Sequence, residues 1–187
     1  MKNAFAKPLI LILLAPPLLL FSVFQAAAQT DCELASKTAP MLLNLQTGAA
    51  PETVQSVLGK SLKIKIKKTG ERTFFQNYIK NPAPERLRGV RALYLRFFDR
   101  KLYQIEIFYE PRADLPPTRE ALVNALSAQF GLPVANWQTI DLRAEIKCGA
   151  VSLAADYVLN PRVELTDETV RAQIEAARAK DKKGFFE

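Results

Sequence analysis

The chain contains no histidine. Histidine is the usual general base near neutral pH and the commonest transition-metal ligand, so its absence argues against a zinc site and against hydrolases that need such a base. The sequence also lacks a Ser-x-x-Lys pair, a Gly-x-Ser-x-Gly turn, a phosphate-binding glycine loop and an aspartate-rich calcium loop. We therefore expect no cofactor, no metal and no catalytic residue. An enzyme that uses carboxylate or Ser/Lys chemistry at a site not revealed by spacing is the alternative.

Cysteine is scarce, since Cys32 and Cys148 are the only two in the chain. An even number in an exported protein favours a disulfide, which here closes a loop of roughly 115 residues. In the chain-entropy model such a loop is worth about 4–5 kcal/mol, and native strain often reduces that figure. Two buried free thiols are the alternative.

A long hydrophobic run occurs within the first 28 residues. Met1–Ala28 has the three parts of a bacterial export signal: a positive start at Lys2 and Lys7, an apolar stretch over Leu9–Phe24, and small residues at Ala26–Ala28 before a cleavage point. We therefore expect a periplasmic or secreted protein that is not an integral membrane protein.

Two other interpretations of this segment are an uncleaved anchor and a lipoprotein signal. The apolar run is shorter than the ~20 residues that span a bilayer, and Pro16 and Pro17 interrupt it. Lipidation of Cys32 would need an aliphatic residue and then small residues before it, where the chain has Gln29–Asp31. After cleavage, residues 29–180 have the length of a single domain, and residues 181–187 have the composition of a frayed tail.

The clearest secondary-structure signal is a β-hairpin over Val90–Tyr109, where apolar residues occupy alternate positions on both arms. All of these apolar residues are odd-numbered. The numbers of two residues that face each other across the hairpin must therefore add to an even value, and this requires a loop with an odd number of residues. We therefore expect a three-residue loop through Asp99 and Arg100. Because neither glycine nor asparagine is present there, we also expect backbone strain.

Other segments predict further strands. Leu62–Lys67 alternates apolar residues with lysines, which is typical of a half-buried strand, and Arg72–Ile79 would return beside it. Ile140–Ile146 predicts a third long strand with its partner at Val151–Tyr157, and Val163–Leu165 predicts a short edge strand.

Helix signals lie between these strands. Pro51 suits the first helical position and Gly59 a helix end, Thr118 can cap a helix that runs to Phe130, and Thr166 or Asp167 can begin a last helix. Strands joined by hairpins with segregated helices predict an α+β fold: a single antiparallel β-sheet with two to three helices packed on one face.

Gly48–Gly59 resembles a motif that begins with Gly-Met-Thr/Ser, continues through polar residues to Val and Leu-Gly, and precedes paired strands. This motif is typical of the small lipoprotein of outer-membrane β-barrel assembly and of β-lactamase inhibitory protein. The resemblance covers about twelve residues and the strand order after them, with Ala49 in place of Met. It implies a helix pair on an antiparallel sheet whose exposed face or hairpin loops contact a partner protein.

Positive charge is concentrated between Lys60 and Lys101, where thirteen lysines and arginines accompany three acidic residues. The rest of the mature chain carries eleven basic and sixteen acidic residues. Six residues form the candidate anion-binding or partner-binding surface: Lys63, Lys65, Lys67, Lys68, Arg86 and Arg88. Such a basic sheet face would attract an acidic envelope protein, anionic lipid or lipopolysaccharide. A solvated lysine face that prevents strand-to-strand aggregation is the alternative.

Aromatic and acidic residues add less. Phe75 and Phe98 are candidate exposed aromatics of a recognition patch, with coverage by a loop or helix as the alternative. Asp141 and Glu145 would lie ~13 Å apart on one strand, too far for a glycosidase acid pair. Nucleic acid is not expected, since no stacking aromatics are interleaved with the lysines. The sequence thus predicts an exported, non-catalytic binding module with a basic sheet face.

Overall fold

The computed structural model describes residues 32, 34, 39–59, 62, 64–66, 69–79, 83–111, 115–157 and 161–183, without the side chains of residues 180–183. The predicted leader, Met1–Ala28, lies outside these residues, as do residues 184–187 of the predicted tail. Within the described ranges, no helix has both the length and the apolar character needed to cross a bilayer.

The described residues form three α-helices and one open, antiparallel sheet of seven strands, which confirms the predicted α+β class. The elements in chain order are α1 (Pro51–Leu58), β1 (Glu71–Asn77), β2 (Val90–Phe98), β3 (Lys101–Tyr109), α2 (Arg119–Phe130), β4 (Gln138–Ile140), β5 (Arg143–Cys148), β6 (Val151–Tyr157), β7 (Pro161–Asp167) and α3 (Glu168–Lys183). The order across the sheet is β1-β2-β3-β7-β6-β5-β4.

The helix ends agree with the sequence signals. The Thr118 hydroxyl accepts a hydrogen bond from the Ala121 amide at 3.1 Å, and Gly131 ends α2 in the left-handed region with φ +67°. The Asp167 carboxylate accepts from the amides of Thr169 and Val170 at the start of α3. These caps satisfy amide and carbonyl groups that a helix end leaves without partners.

The β2–β3 hairpin has the predicted arms but a different loop. Asp99 and Arg100 form a two-residue turn with φ +45° and +65°, so the expected three-residue loop is wrong and the expected strain is present. The register shifts by one residue between Arg96 and Phe97, which restores the even sum of facing residue numbers in the body of the hairpin. A bulge therefore supplies the extra residue that the loop does not.

The expected long strand at Ile140–Ile146 is wrong, because a turn at Asp141 and Leu142 divides it into β4 and β5. Asp141 has φ +55°, and Arg119 Nη1 donates a hydrogen bond to its carbonyl oxygen at 3.2 Å. The side chains of Ile140 and Leu142 are exposed. The expected edge strand at Val163–Leu165 is also wrong, since β7 pairs with both β3 and β6.

The expected strand at Leu62–Lys67 does not form in its described part, because residues 64–66 carry no strand. Leu62 and Ile64 are nevertheless buried in the core, as their alternation with lysines suggested. The Ile64 amide donates to the Gln55 side-chain oxygen of α1 at 2.7 Å. This backbone group thus bonds to a helix side chain rather than to a neighbouring strand.

One face of the sheet holds the core. A row of apolar side chains crosses it in register from β1 to β5: Phe74, Leu95, Ile105, Leu165, Leu153 and Ile146. Val54 of α1 and Leu122 of α2 belong to the same buried cluster. A disulfide joins Cys32 to Cys148 on this face, with their Cα atoms 4.7 Å apart.

Candidate functional site

The opposite face of the sheet, here called the polar face, carries the side chains that alternate with the core residues. Its members include Glu71, Phe75, Tyr94, Arg96, Gln104, Glu106, Phe108, Ile140, Arg143, Glu145, Lys147, Ser152, Asp156, Arg162, Glu164 and Thr166. Helix α3 packs over one end of this face, where Ser152 donates to Glu168, Arg178 pairs with Glu71 and Ile174 is buried. This face is unusual because its charged residues occupy the central strands.

Glu164 of β7 lies at the centre of the polar face. Its carboxylate accepts hydrogen bonds from Arg143 Nη1 at 3.0 Å, Arg143 Nη2 at 3.2 Å and Gln104 Nε2 at 2.8 Å. Burial alone would raise the pKa of Glu164, but the bonds and charge of Arg143 and the bond from Gln104 outweigh burial and hold it below its ordinary value. Glu164 is therefore a charged, well-paired carboxylate.

A second cluster surrounds Arg162. Arg162 Nη1 donates to Glu106 Oε1 at 2.7 Å, and Arg162 Nε donates to Asp156 Oδ2 at 2.6 Å. Glu106 faces Glu164 directly across the β3–β7 pair, a like-charge juxtaposition that would cost stability if unbalanced. Arg162 balances the charge of Glu106, and Arg143 balances that of Glu164.

The two signs of charge lie at different depths on this face. The carboxylate side chains of Glu106, Glu164, Asp156 and Glu145 are only 9–18% exposed. The side chains of Arg162, Arg143 and Arg96 are 27–39% exposed, and that of Lys147 is 66% exposed. The carboxylates therefore form a lower layer and the cationic groups an upper one, which we call the cationic layer (Arg96, Arg143, Arg162 and Lys147).

Three aromatic rings adjoin the cationic layer at the β1 side. The ring centroids of Phe75 and Tyr94 are 4.4 Å apart, and those of Tyr94 and Phe108 are 5.7 Å apart with an edge-on orientation. The Arg162 guanidinium lies 5.6 Å from the centroid of Phe108. Phe75 is exposed, whereas Phe98, the other predicted aromatic, is partly buried.

Of the six residues of the candidate basic surface, the structure describes Lys65, Arg86 and Arg88, and none of these three lies in a β-strand. Lys65 is exposed in the strand-free segment 64–66, and Lys63, Lys67 and Lys68 lie outside the described residues. Arg86 is exposed and donates to the Val57 carbonyl of α1 at 2.6 Å. Arg88 is exposed beside Glu85, with which it forms an ion pair.

The cationic layer was therefore missed from the sequence, although its alternation was readable. Arg143, Glu145 and Lys147 alternate with the buried residues of β5, and Arg162 and Glu164 alternate with those of β7. The sequence pattern does not show the strand pairing that brings β2, β7 and β5 into one sheet. Because strand order depends on contacts between distant segments, a single sequence does not reveal it.

Asp141 and Glu145, expected on one strand, instead border a cavity of about 360 Å³ at the β4 end of the polar face. The cavity is also lined by Asp156 and by the exposed side chains of Ile140 and Leu142. Among the described residues, no three acidic or cysteine side chains are grouped in a way that would hold a metal ion.

No family model, curated protein or solved structure matches this chain. The resemblance of Gly48–Gly59 to the β-barrel assembly lipoprotein and β-lactamase inhibitory protein therefore stays a prediction.

Proposed function

We propose that this protein is an exported, non-catalytic binding module that contacts an acidic partner through the polar face of its sheet. The single observation that carries the proposal is the depth of the charges, with cations outermost and carboxylates beneath them. The two layers hold four carboxylates and four cations, so their net charge is zero, but the outermost groups are guanidinium and ammonium groups that can donate hydrogen bonds to a partner's carboxylates or phosphates, and the lower layer fixes their positions.

Two features support export to the periplasm or beyond. Met1–Ala28 has the layout of a cleavable signal, and Cys32 and Cys148 are joined as expected in an oxidising compartment. The partner in that compartment is an acidic envelope protein, and anionic lipid or lipopolysaccharide is the competing class. On the polar face, the groups that we assign to anion binding are Arg96, Arg143, Arg162 and Lys147.

The carboxylates of the polar face favour binding over catalysis. A general acid at neutral pH needs a raised pKa, which enzymes obtain by burying a carboxyl group away from cations. Glu164 is buried, yet Arg143 and Gln104 hold its pKa below the ordinary value. Glu106 and Asp156 are likewise engaged by Arg162. These carboxylates therefore position arginines.

A binding experiment with a defined acidic probe tests the proposal. The mature protein (residues 29–187) is passed over immobilised poly-L-glutamate, beside the variant Arg96→Gln/Lys147→Gln and the control Lys65→Gln/Arg88→Gln. Both variants lose the same net charge, but only the first loses it from the polar face. At about 1 kcal/mol per cation near an anionic surface, the first variant is expected to bind about 30-fold more weakly.

The control is expected to bind like the wild type, and binding of the wild type is expected to weaken as salt rises. Thermal unfolding of both variants checks that the fold is retained. Equal losses in the two variants would mean that affinity follows net charge alone. That result, or wild-type binding that does not respond to salt, would overturn the proposal.

A further inference from the structure

Among the described strands, β4 and β1 form the two edges of the sheet, and only β4 is protected against pairing with a further strand. β4 has three residues and ends at the turn in which Asp141 has φ +55°. β1 has seven residues, pairs with β2 over its whole length without a bulge, and contains neither proline nor lysine. Short strands, bulges, prolines and lysines are the features that keep sheet edges from pairing, so β1 is an open edge.

The main-chain groups of β1 point alternately towards β2 and away from it. Just beyond the two ends of β1, the Tyr78 amide donates to the Arg91 carbonyl at 2.8 Å and the Asp99 amide donates to the Gly70 carbonyl at 3.3 Å. The even-numbered residues of β1 therefore bond to β2, and the odd-numbered residues direct their N–H and C=O groups outwards.

The outward groups in the middle of β1 are the ones that can accept a strand. The carbonyls of the first and last residues already accept hydrogen bonds from the neighbouring Arg72 and Gln76 side chains, at 2.6 and 3.2 Å. The amides and carbonyls of Thr73 and Phe75, in contrast, have no partner within the described parts of the chain. Each copy of the protein thus offers two donors and two acceptors at this edge.

We propose that β1 pairs in antiparallel fashion with β1 of a second copy of this chain, about a two-fold axis that passes beside Phe74. In this register Thr73 faces Phe75 of the second copy, and the two residues exchange both of their main-chain hydrogen bonds. The symmetry repeats this pair, so all the open groups are satisfied and four hydrogen bonds join the copies. The inference does not depend on the proposed function.

The side chains of β1 suit the same register. Phe74, which is partly buried against the core, faces Phe74 of the second copy in a pair without main-chain bonds, where opposed side chains lie closest. Arg72 faces Gln76 of the second copy, and Glu71 faces Asn77, so no like charges are opposed. β1 is therefore complementary to itself in bonding, aromatic contact and charge, which favours a second copy over an unrelated strand.

The contact is small, which limits its strength. A strand of seven residues is about 24 Å long, and one strand pair of that length buries less than the roughly 1,600 Å² of a standard interface. We therefore expect a dissociation constant on the order of 10–100 µM. The two-fold axis is perpendicular to the sheet, so the polar faces of the two copies lie on the same side of the dimer.

Sedimentation equilibrium of the mature protein (residues 29–187) over about 1–500 µM tests the pairing. The wild type is expected to form dimers and nothing larger, because a two-fold contact closes on itself. Thr73→Pro removes two of the four bonds, yet an edge strand tolerates proline where the N–H faces outwards. We expect this variant to dimerise at least about tenfold more weakly, and the control Thr73→Val, which keeps the amide, to match the wild type.

Charge substitutions at Gln76 test the register. Gln76→Arg places a cation opposite Arg72 of the second copy, whereas Gln76→Glu places an anion there, and each contact occurs twice in the dimer. We expect dimerisation to weaken about fivefold in the first variant and to strengthen about fivefold in the second. Gln138→Arg and Gln138→Glu are the matched controls, because Gln138 is exposed on β4 at the other edge, and neither is expected to change dimerisation.

Three results would overturn this inference. They are a wild type that stays monomeric up to about 500 µM, a folded Thr73→Pro variant that dimerises like the wild type, and equal effects of the substitutions at Gln76 and Gln138. Thermal unfolding shows whether Thr73→Pro retains the fold. If it does not, the comparison of Gln76 with Gln138 decides alone.

Discussion

Replacing Glu164 by glutamine tests whether the lower layer of the polar face holds the cations in place. The substitution keeps the shape of the side chain but removes the charge that accepts two bonds from Arg143 and one from Gln104. A hydrogen bond to a charged group is worth about 1.5–3 kcal/mol, roughly 1 kcal/mol more than a neutral one. Arg143 keeps its bond to Glu145, so we expect Glu164→Gln to cost about 2 kcal/mol.

Urea unfolding of the mature protein measures this cost, with an unchanged dependence on urea as the sign of an unchanged fold. For a domain of this size about 2 kcal/mol corresponds to a fall of roughly 4–8 °C in Tm. Glu145→Gln is the matched control, because Glu145 contacts the same arginine at 3.3 Å and is more exposed. We expect the control to cost less than about 1 kcal/mol.

The pH dependence of the free energy of unfolding tests the same prediction. The pKa of Glu164 is lowered from 4.5, so its contribution to stability is complete above that value and is lost as pH falls through the lowered folded-state value. The difference between wild type and Glu164→Gln should therefore shrink in acid. A variant as stable as the Glu145→Gln control would refute the paired role of Glu164. A variant more stable than the wild type would mean that repulsion from Glu106 outweighs the bonds from Arg143 and Gln104.

Three further predictions concern the scaffold. Burial raises the pKa of Tyr103 and of Tyr109 to about 12, with a further contribution from the bond to Glu71 in the case of Tyr103. Near-ultraviolet titration should therefore find both side chains protonated between pH 10 and about 12, and their stabilising effect should be lost as pH rises through that range. Earlier ionisation in the folded state would contradict their burial. Arg100→Gly should relieve the left-handed backbone and, after loss of an exposed ion pair, stabilise by about 0.5 kcal/mol in urea unfolding, whereas a destabilised variant would argue against strain. Replacing Cys32 and Cys148 by alanine removes a link across 116 residues and should cost up to about 4–5 kcal/mol, and an unchanged Tm would exclude a stabilising disulfide.

The sequence reveals local structure where a single pattern continues through an element. Alternation over Val90–Tyr109 predicted both arms of the hairpin, and Thr118 predicted the start of α2. Alternation misled where apolar residues continue through a turn, as at Ile140 and Leu142, whose exposed side chains mimic the inward residues of a strand. Leu62–Lys67 misled for a related reason, since burial of alternate side chains does not require a ladder of backbone bonds.

Neither the strand order nor the composition of the polar face could be predicted from the sequence. Val163–Leu165 is short and contains a charged residue, a pattern typical of an edge strand. Nevertheless β7 lies in the middle of the sheet, where Arg143 balances the charge of Glu164 and Arg162 balances that of Glu106. The thirteen basic residues between Lys60 and Lys101 drew attention to lysines in one segment. Of these thirteen residues, Arg96 of β2 belongs to the cationic layer, and the other three cations of that layer come from β5 and β7.

An NMR titration can locate the anion-binding surface directly. Nitrogen-15-labelled mature protein titrated with a short poly-glutamate peptide reports on every arginine through its side-chain Nε–H signal. We expect the signals of Arg96, Arg143 and Arg162 to shift progressively, with the shifts reversed by salt, while those of Arg86 and Arg88 stay in place. Shifts confined to Arg86 and Arg88, with the cationic layer silent, would contradict the account and return the binding surface to the segment around Lys65.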